Sequence, residues 1–434
     1  MNQRELERFD MTKKPMRTAW YLRPLTYLLS APDVRKHRAI ITKTGADGLK
    51  PPYLLLCNHN AFLDFKVATK AIYPHRANYI VAIDGFIGRE GLLRRVGCIC
   101  KRKFTEDLTL IRQCKRVVQN GDVLVVYPEA RYSLCGTTAV LPASLGKLCK
   151  LLGVPVVTLI CHGHHIDSPF WNLHVRNVKP TEAEFTVQYT ADELKATSAD
   201  EINERLVQAF QYDEFAWQKA RGIRVTYPKR AEGLHKVLYQ CPACRTEFRM
   251  ASEGATLYCK ACGKRWHYTE LGELAAEDGE TAFSHIPDWY EWERQNVRAE
   301  IEAGTYSSGD LFGHGAQSAE RKAVHPARRR NAPSRYDRFS CVRHGRRRRS
   351  VLDGKERAVD VFVPHRVRIP RQVRRLHRSQ HARGYVVHLS ARRGFRGDEN
   401  GARDRGTLLR EQKKRGQTLQ AGSCIKEQSC IFWF

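Results

Sequence analysis

The chain has 434 residues, room for two or three domains, with 42% hydrophobic residues and a formal net charge of +28. No stretch comes near the roughly 20 consecutive apolar residues that cross a bilayer, and no apolar signal core follows the N-terminus, so neither a membrane-spanning nor an exported protein is expected. The fourteen cysteines then read as reduced thiols of a cytoplasmic protein, with regular Cys-x2-Cys pairs better suited to metal than to disulfides.

Taken in chain order, residues 1–39 form a first unit. Its segment 19–31, AWYLRPLTYLLSA, is apolar and aromatic with arginines at 17 and 23. It fits a helix lying on a membrane surface or one packed on the main domain, and the two readings stay open. A second unit, 40–235, alternates strand-like and helix-like runs. YLLLC (53–57), ANYIVAI (77–83), DVLVVY (122–127) and VPVVTLI (154–160) are continuous apolar runs, as strands covered on both faces should be. AFLDFKVATKAI, EDLTLIRQCKRVVQNG and LPASLGKLCKLLG lie between them and read as helices, two of them ending at glycine. This alternation predicts an α/β domain with a largely parallel sheet flanked by helices. Residues 198–222 read as an amphipathic helix pair. A small module follows at 236–272, and 273–309 holds a helix with Pro287 at its start and Gly304 at its end.

Three of the four strand runs lead into polar sequence: NHNAFLD, PEARYS and CHGHH. Open α/β sheets bind ligands outside the carboxyl ends of their strands, so parallel neighbours would bring His59, Glu129 and His162 to one rim. Within NHNAFLD, an imidazole can take a proton from a hydroxyl near neutral pH, and a carboxylate on its second nitrogen fixes the tautomer and stabilises the cation. His59 is then a general base and Asp64 its orienting partner. No Gly-x-Ser-x-Gly elbow is present, so direct attack by a substrate hydroxyl is expected rather than a covalent acyl-enzyme. The His162, His164 and His165 cluster is expected to be structural or to line the rim.

These segments resemble, in order, four motifs of the glycerolipid acyltransferase family, which includes the 1-acyl-glycerol-3-phosphate acyltransferases. NHNAFLD is similar to its Asn-His-x4-Asp motif, VGCICKRK to its second block, YPEARYS to Phe-Pro-Glu-Gly-Thr-Arg-Ser, and GVPVVTL to its Val-Pro-Val block. The resemblance covers roughly residues 40–190. It implies transfer of a fatty acyl group from acyl-CoA or acyl carrier protein to the hydroxyl of a lysophosphatidate-type acceptor, by a 1-acyl-glycerol-3-phosphate O-acyltransferase-like enzyme of phospholipid synthesis. His59 would be the base, Glu129 and a cation would bind the acceptor phosphate, and Gly97 would open the second block. The third motif departs from the family: Ala130 stands for glycine, Arg131 for threonine and Tyr132 for arginine. The cation is accordingly Arg131, Arg102 or Lys103, since a phosphate calls for one. Backbone amides around Asn58–Asn60 are the expected oxyanion donors. A protein without a spanning segment would reach such an acceptor from the membrane surface, peripheral on its inner face.

Cys241, Cys244, Cys259 and Cys262 follow as Cys-x2-Cys-x14-Cys-x2-Cys, the spacing of a zinc ribbon. Four ligands leave no open position, so a Zn2+ here would be structural, and a module this small would depend on it to fold. The last segment, 310–434, is different in kind. It holds 31 Lys+Arg against 11 Asp+Glu, and only five of the 31 are lysine. It reads as a disordered Arg-rich arm or as the product of a shifted reading frame, with the abrupt loss of lysine near residue 309 favouring the second. The rival functions are a nucleic-acid-binding protein built on the ribbon and arm and an acyltransferase-like fold that has lost catalysis and only binds lipid.

Overall fold

Runs such as LLLC and VLVV have no polar face, so they form strands only where a sheet is covered on both sides. The computed structural model shows such a sheet; it describes residues 9–102 and 107–306, and beyond them the backbone of three short strands. In chain order the first domain contains α1 (Leu22–Lys36), β1 (Ile40–Thr44), β2 (Leu54–Cys57), α2 (Leu63–Ile72), β3 (Ala77–Ala82), α3 (Glu90–Arg95), β4 (Cys98–Lys101), α4 (Leu108–Gln119), β5 (Val123–Val126), α5 (Leu145–Leu152), β6 (Val156–His162), α6 (His164–Asp167), β7 (Glu182–Tyr189), α7 (Ala191–Ala196), α8 (Ala199–Ala209) and α9 (Glu214–Ala220).

The seven strands pair in the order β1-β7-β6-β2-β5-β3-β4. The five from β6 to β4 are parallel, β7 runs against β6, and β1 is parallel to β7. All four expected strands are present, and the sheet is largely parallel as expected. Three further strands, β1, β4 and β7, went unassigned in the sequence. Two are short or exposed edge strands, and a four- or five-residue edge carries too little pattern to stand out.

Successive residues of a strand face opposite sides, and the core divides accordingly. Leu55, Cys57, Val125 and Val157 pack under Val67 and Ala68 of α2. Leu54, Leu56, Leu124 and Val126 pack under Val117 of α4, Cys149 of α5 and Leu206 of α8. Each buried leucine or valine contributes about 1.5–3 kcal/mol, and together they hold the central strands in register. Gly153 ends α5 in the left-handed conformation, at φ 64°. The amphipathic pair read at 198–222 is α8 and α9. Helix α1 packs on α2 and buries Ser30 and Val34, yet leaves Leu28 and Leu29, with Trp20 in the turn before it, more than 60% exposed.

The small module is a four-stranded antiparallel sheet, β8 (Met250–Glu253), β9 (Thr256–Cys259), β10 (Arg265–Tyr268) and β11 (Leu274–Ala276), followed by α10 (Ile286–Glu302). Its apolar residues do not form an island. Leu257, Trp266 and Trp289 share one core with Leu134, Cys135, Trp171 and Phe215 of the first domain. Of residues 310–434, the described parts are strands β12 (Leu311–Gln317), β13 (Pro326–Ala332) and β14 (Tyr385–Ala391), in one antiparallel sheet. The sequence shows no period there, and most of that Arg-rich segment lies outside the described residues.

Candidate active site

Strands β6, β2 and β5 are adjacent and parallel, so the segments after their carboxyl ends converge. A side chain extends the pairing beyond β2. The Asn58 amide accepts the Cys161 N–H at 2.8 Å and donates to the Cys161 carbonyl at 2.9 Å. Asn58 is fully buried, and its side chain ties the end of β2 to β6.

Asp64 lies in the first turn of α2 and is completely buried. Its Oδ2 accepts the backbone N–H groups of Asn60 at 2.6 Å and Ala61 at 2.9 Å, and faces His59 Nδ1 at 3.2 Å. Its Oδ1 faces His164 Nδ1 at 2.6 Å. Burial pushes the Asp64 carboxyl up, but the hydrogen bonds from His164 and His59 outweigh burial and bring it down to about 2. A proton on His59 Nδ1 directed at this carboxylate makes Nε2 the basic nitrogen. The His59 ring lies between Tyr127, at 4.3 Å between centroids, and Tyr132, at 4.2 Å, and its side chain is 5% exposed.

Glu129 follows β5. The resemblance places it against the acceptor, but its carboxyl faces protein groups. It accepts the His59 N–H at 3.2 Å and the Ala139 N–H at 2.9 Å, and the Tyr212 hydroxyl lies 3.3 Å away. Its closest role is therefore to hold the backbone that carries His59. Burial pushes the carboxyl up to about 8, against the hydrogen bonds of Ala139 and His59 and the charge of Arg131. Arg131, half-buried, is the expected cation that the chain does bring here, close enough to act on both Glu129 and Cys135.

The other expected binding residues are not gathered. Gly97 sits at the amino-terminal end of β4, one strand length from the rim. A Cβ there, at φ +89°, would lie 2.8 Å from the Ala77 carbonyl of β3 and 2.7 Å from the Thr18 hydroxyl, so its need for glycine is set by its backbone conformation and by the neighbouring strand and N-terminal segment packed against it. Arg102 follows β4, three strands from β2 and so roughly 14 Å away across the sheet; it pairs with Asp107 at 3.4 Å. Lys103 lies outside the described residues. The amides proposed as oxyanion donors are committed elsewhere: Asn58 N–H to the Leu159 carbonyl, His59 N–H to Glu129 and Asn60 N–H to Asp64. His162 turns away toward Glu214, at 3.5 Å, and stacks on Trp217. Tyr127 and Tyr212 were not foreseen at the site, and His164, expected to be structural or to line the rim, was not foreseen as a partner of Asp64. All three follow strands or helices whose side-chain direction no spacing rule gives.

In the small module, the four cysteine sulfurs lie within 4.8 Å of one another. Two of the pairs, Cys241–Cys262 and Cys244–Cys259, are 3.7 Å apart. A tetrahedron of Zn–S bonds has edges of ~3.8 Å, so the set fits a metal ion.

Set beside known proteins, residues 34–162 match the family model Acyltransferase, a span that contains His59, Asp64 and Glu129. Among solved structures, the chain is similar to the crystal structure of the 1-acyl-sn-glycerophosphate (LPA) acyltransferase PlsC from Thermotoga maritima. The identity is 14% and the TM-score 0.34, over 44% of this chain and 79% of that one. No curated protein matches.

Proposed function

We propose that the protein is an O-acyltransferase that moves a fatty acyl group from acyl-CoA or acyl carrier protein to the hydroxyl of a lysophosphatidate-type acceptor. The observation that carries this reading is the His59–Asp64 pair, held at the carboxyl end of a central parallel strand inside the family-matched span. His59 Nε2 takes the acceptor hydroxyl proton as the oxygen attacks the thioester carbon. The C–S bond then breaks, and the departing sulfur takes the proton back from the imidazolium, which restores the base. Asp64 holds the ring and stabilises its cationic form. Arg131 supplies positive charge for the acceptor phosphate.

The acceptor would be met at a membrane surface, on the inner face. The exposed Trp20, Tyr21, Leu25, Leu28 and Leu29 beside Arg17 and Arg23 form an apolar patch with cations, as interfacial helices do. No helix among the described residues is long and apolar enough to cross a membrane. Cys241, Cys244, Cys259 and Cys262 would hold one structural Zn2+, whose work is to set the shared core that reaches Leu134, two residues past Tyr132.

One observation favours a second reading. His59 is almost covered, and a tyrosine stands in the arginine position of the third motif, as in a fold that binds lipid without catalysis. Full-length protein given palmitoyl-CoA and lysophosphatidate in mixed micelles separates the two. The enzyme forms phosphatidate, detectable by mass spectrometry, with one CoA released per product. A protein that binds lysophosphatidate vesicles and forms none sinks the catalytic reading.

A further inference from the structure

The proton-transfer reading accounts for His59 and leaves a second buried imidazole on the same carboxylate. His164 opens α6, is completely buried, and presents Nδ1 to Asp64 Oδ1 at 2.6 Å, closer than His59 approaches Oδ2. We propose that His164 is a positioning residue for acyl transfer, holding Asp64 from the side opposite His59 so that Oδ2 stays turned toward the reacting ring. This inference rests on the reading of His59 as the base.

The two carboxylate oxygens are served unequally. Oδ2 accepts from His59, Asn60 and Ala61, whereas His164 is the donor on Oδ1. Without that donor, Oδ1 becomes a buried charged oxygen in need of a partner, which favours protonating the carboxyl or rotating it. His164 Nε2 has no hydrogen-bond partner among the described residues, so the tautomer with its proton on Nδ1 is the one that uses the bond on offer. The ring is delivered by a turn that is itself fixed. Gly163, at φ +87°, ends β6 where a Cβ would meet Trp217 and Thr181 at 3.0–3.1 Å. The buried Glu214 carboxylate accepts the Gly163 N–H at 2.9 Å and the His165 N–H at 3.0 Å, which ties the turn to α9.

The groups facing Asp64 are His59, His164, His165, the thiols of Cys57 and Cys161, and Tyr127, with Tyr212 beyond them. Asp64, Cys161 and His164 lie close enough together to suggest a metal. Both Asp64 oxygens are already taken, however, and burial keeps the Cys161 thiol protonated. The geometry serves orientation of the carboxylate.

Steady-state kinetics of full-length His164→Ala and His164→Asn, beside the native protein and His59→Ala, test this. The alanine variant should lose roughly 10- to 100-fold in kcat with little change in KM for either substrate. Its acid limb of kcat/KM, which follows protonation of the coupled His59–Asp64 pair, should move to higher pH, because the pair loses a donor that favours its unprotonated form. His164→Asn, whose Nδ2 can donate to Oδ1 from nearly the same place, should recover most of kcat and return the limb. A folded alanine variant with native kcat and pH profile overturns the inference, as does an asparagine variant no better than alanine. Should the alanine variant not fold, His164→Asn is compared with His164→Leu by the same criteria. A fully active His59→Ala protein removes the underlying reading instead, whatever the His164 variants do.

Discussion

The ring of Tyr132 lies 4.2 Å from that of His59, at 35° between planes, and Tyr132 in turn stacks on Phe170 at 6.2 Å. A side chain that the resembled family would fill with arginine here covers the candidate base. Substrate must therefore displace Tyr132 or enter past its edge. Replacing Tyr132 by alanine is expected to raise the rate of diethyl pyrocarbonate modification at His59 several-fold, read by peptide mass spectrometry, while Tyr132→Phe leaves it unchanged. Equal rates in all three proteins would show that the ring is not the cover.

Ala130 adopts φ 55° in the loop that carries Glu129. The left-handed region costs a non-glycine residue about 1–2 kcal/mol, partly offset by the extra freedom glycine has when unfolded. Ala130→Gly should therefore raise stability by about 0.5–1 kcal/mol in urea titration, without loss of acyl transfer. A destabilised variant would mean that the alanine methyl makes contacts worth more than the strain.

His165 is fully buried against Phe215, and burial together with the charge of Arg176 pushes its imidazole down to about 3, despite Asp213 and Asp64 nearby. The unfolded chain binds a proton there below pH 6.5 and the native one does not. The native state is therefore at full advantage above pH 6.5, and loses it as the pH falls from 6.5 toward 3. At pH 4 the loss is ~3 kcal/mol. His165→Leu should flatten the decline of the melting temperature between pH 6.5 and 4. An unchanged slope would assign acid sensitivity to other groups.

The metal site should be felt at the rim. Leu134 and Cys135 share a core with Cys241, Cys259 and Trp266. Purified protein should contain one zinc per chain by atomic absorption. Cys259→Ser should lose the metal, lower the melting temperature and reduce acyl transfer. Full activity in a metal-free variant would confine the ion to the small module.

Long apolar runs were legible because a buried parallel strand leaves no polar positions, and the four central strands and the helices between them follow from that. The His59–Asp64 pair was legible because its two members lie five residues apart and meet by local folding. The position of the second block was not legible for the opposite reason: sheet order does not follow chain order, and β4 stands two strands beyond β5, with Gly97 at its far end. His164 was hidden in CHGHH because three histidines in four residues point in three directions. Only the turn at Gly163 decides which one reaches Asp64, a hundred residues earlier in the chain.

The most direct measurement is the kcat of full-length His59→Ala for acyl transfer from palmitoyl-CoA to lysophosphatidate, with folding verified by circular dichroism. A fall of roughly 100-fold or more is predicted, the span a positioned general base contributes. A folded variant turning over within a few-fold of the native rate would contradict the account.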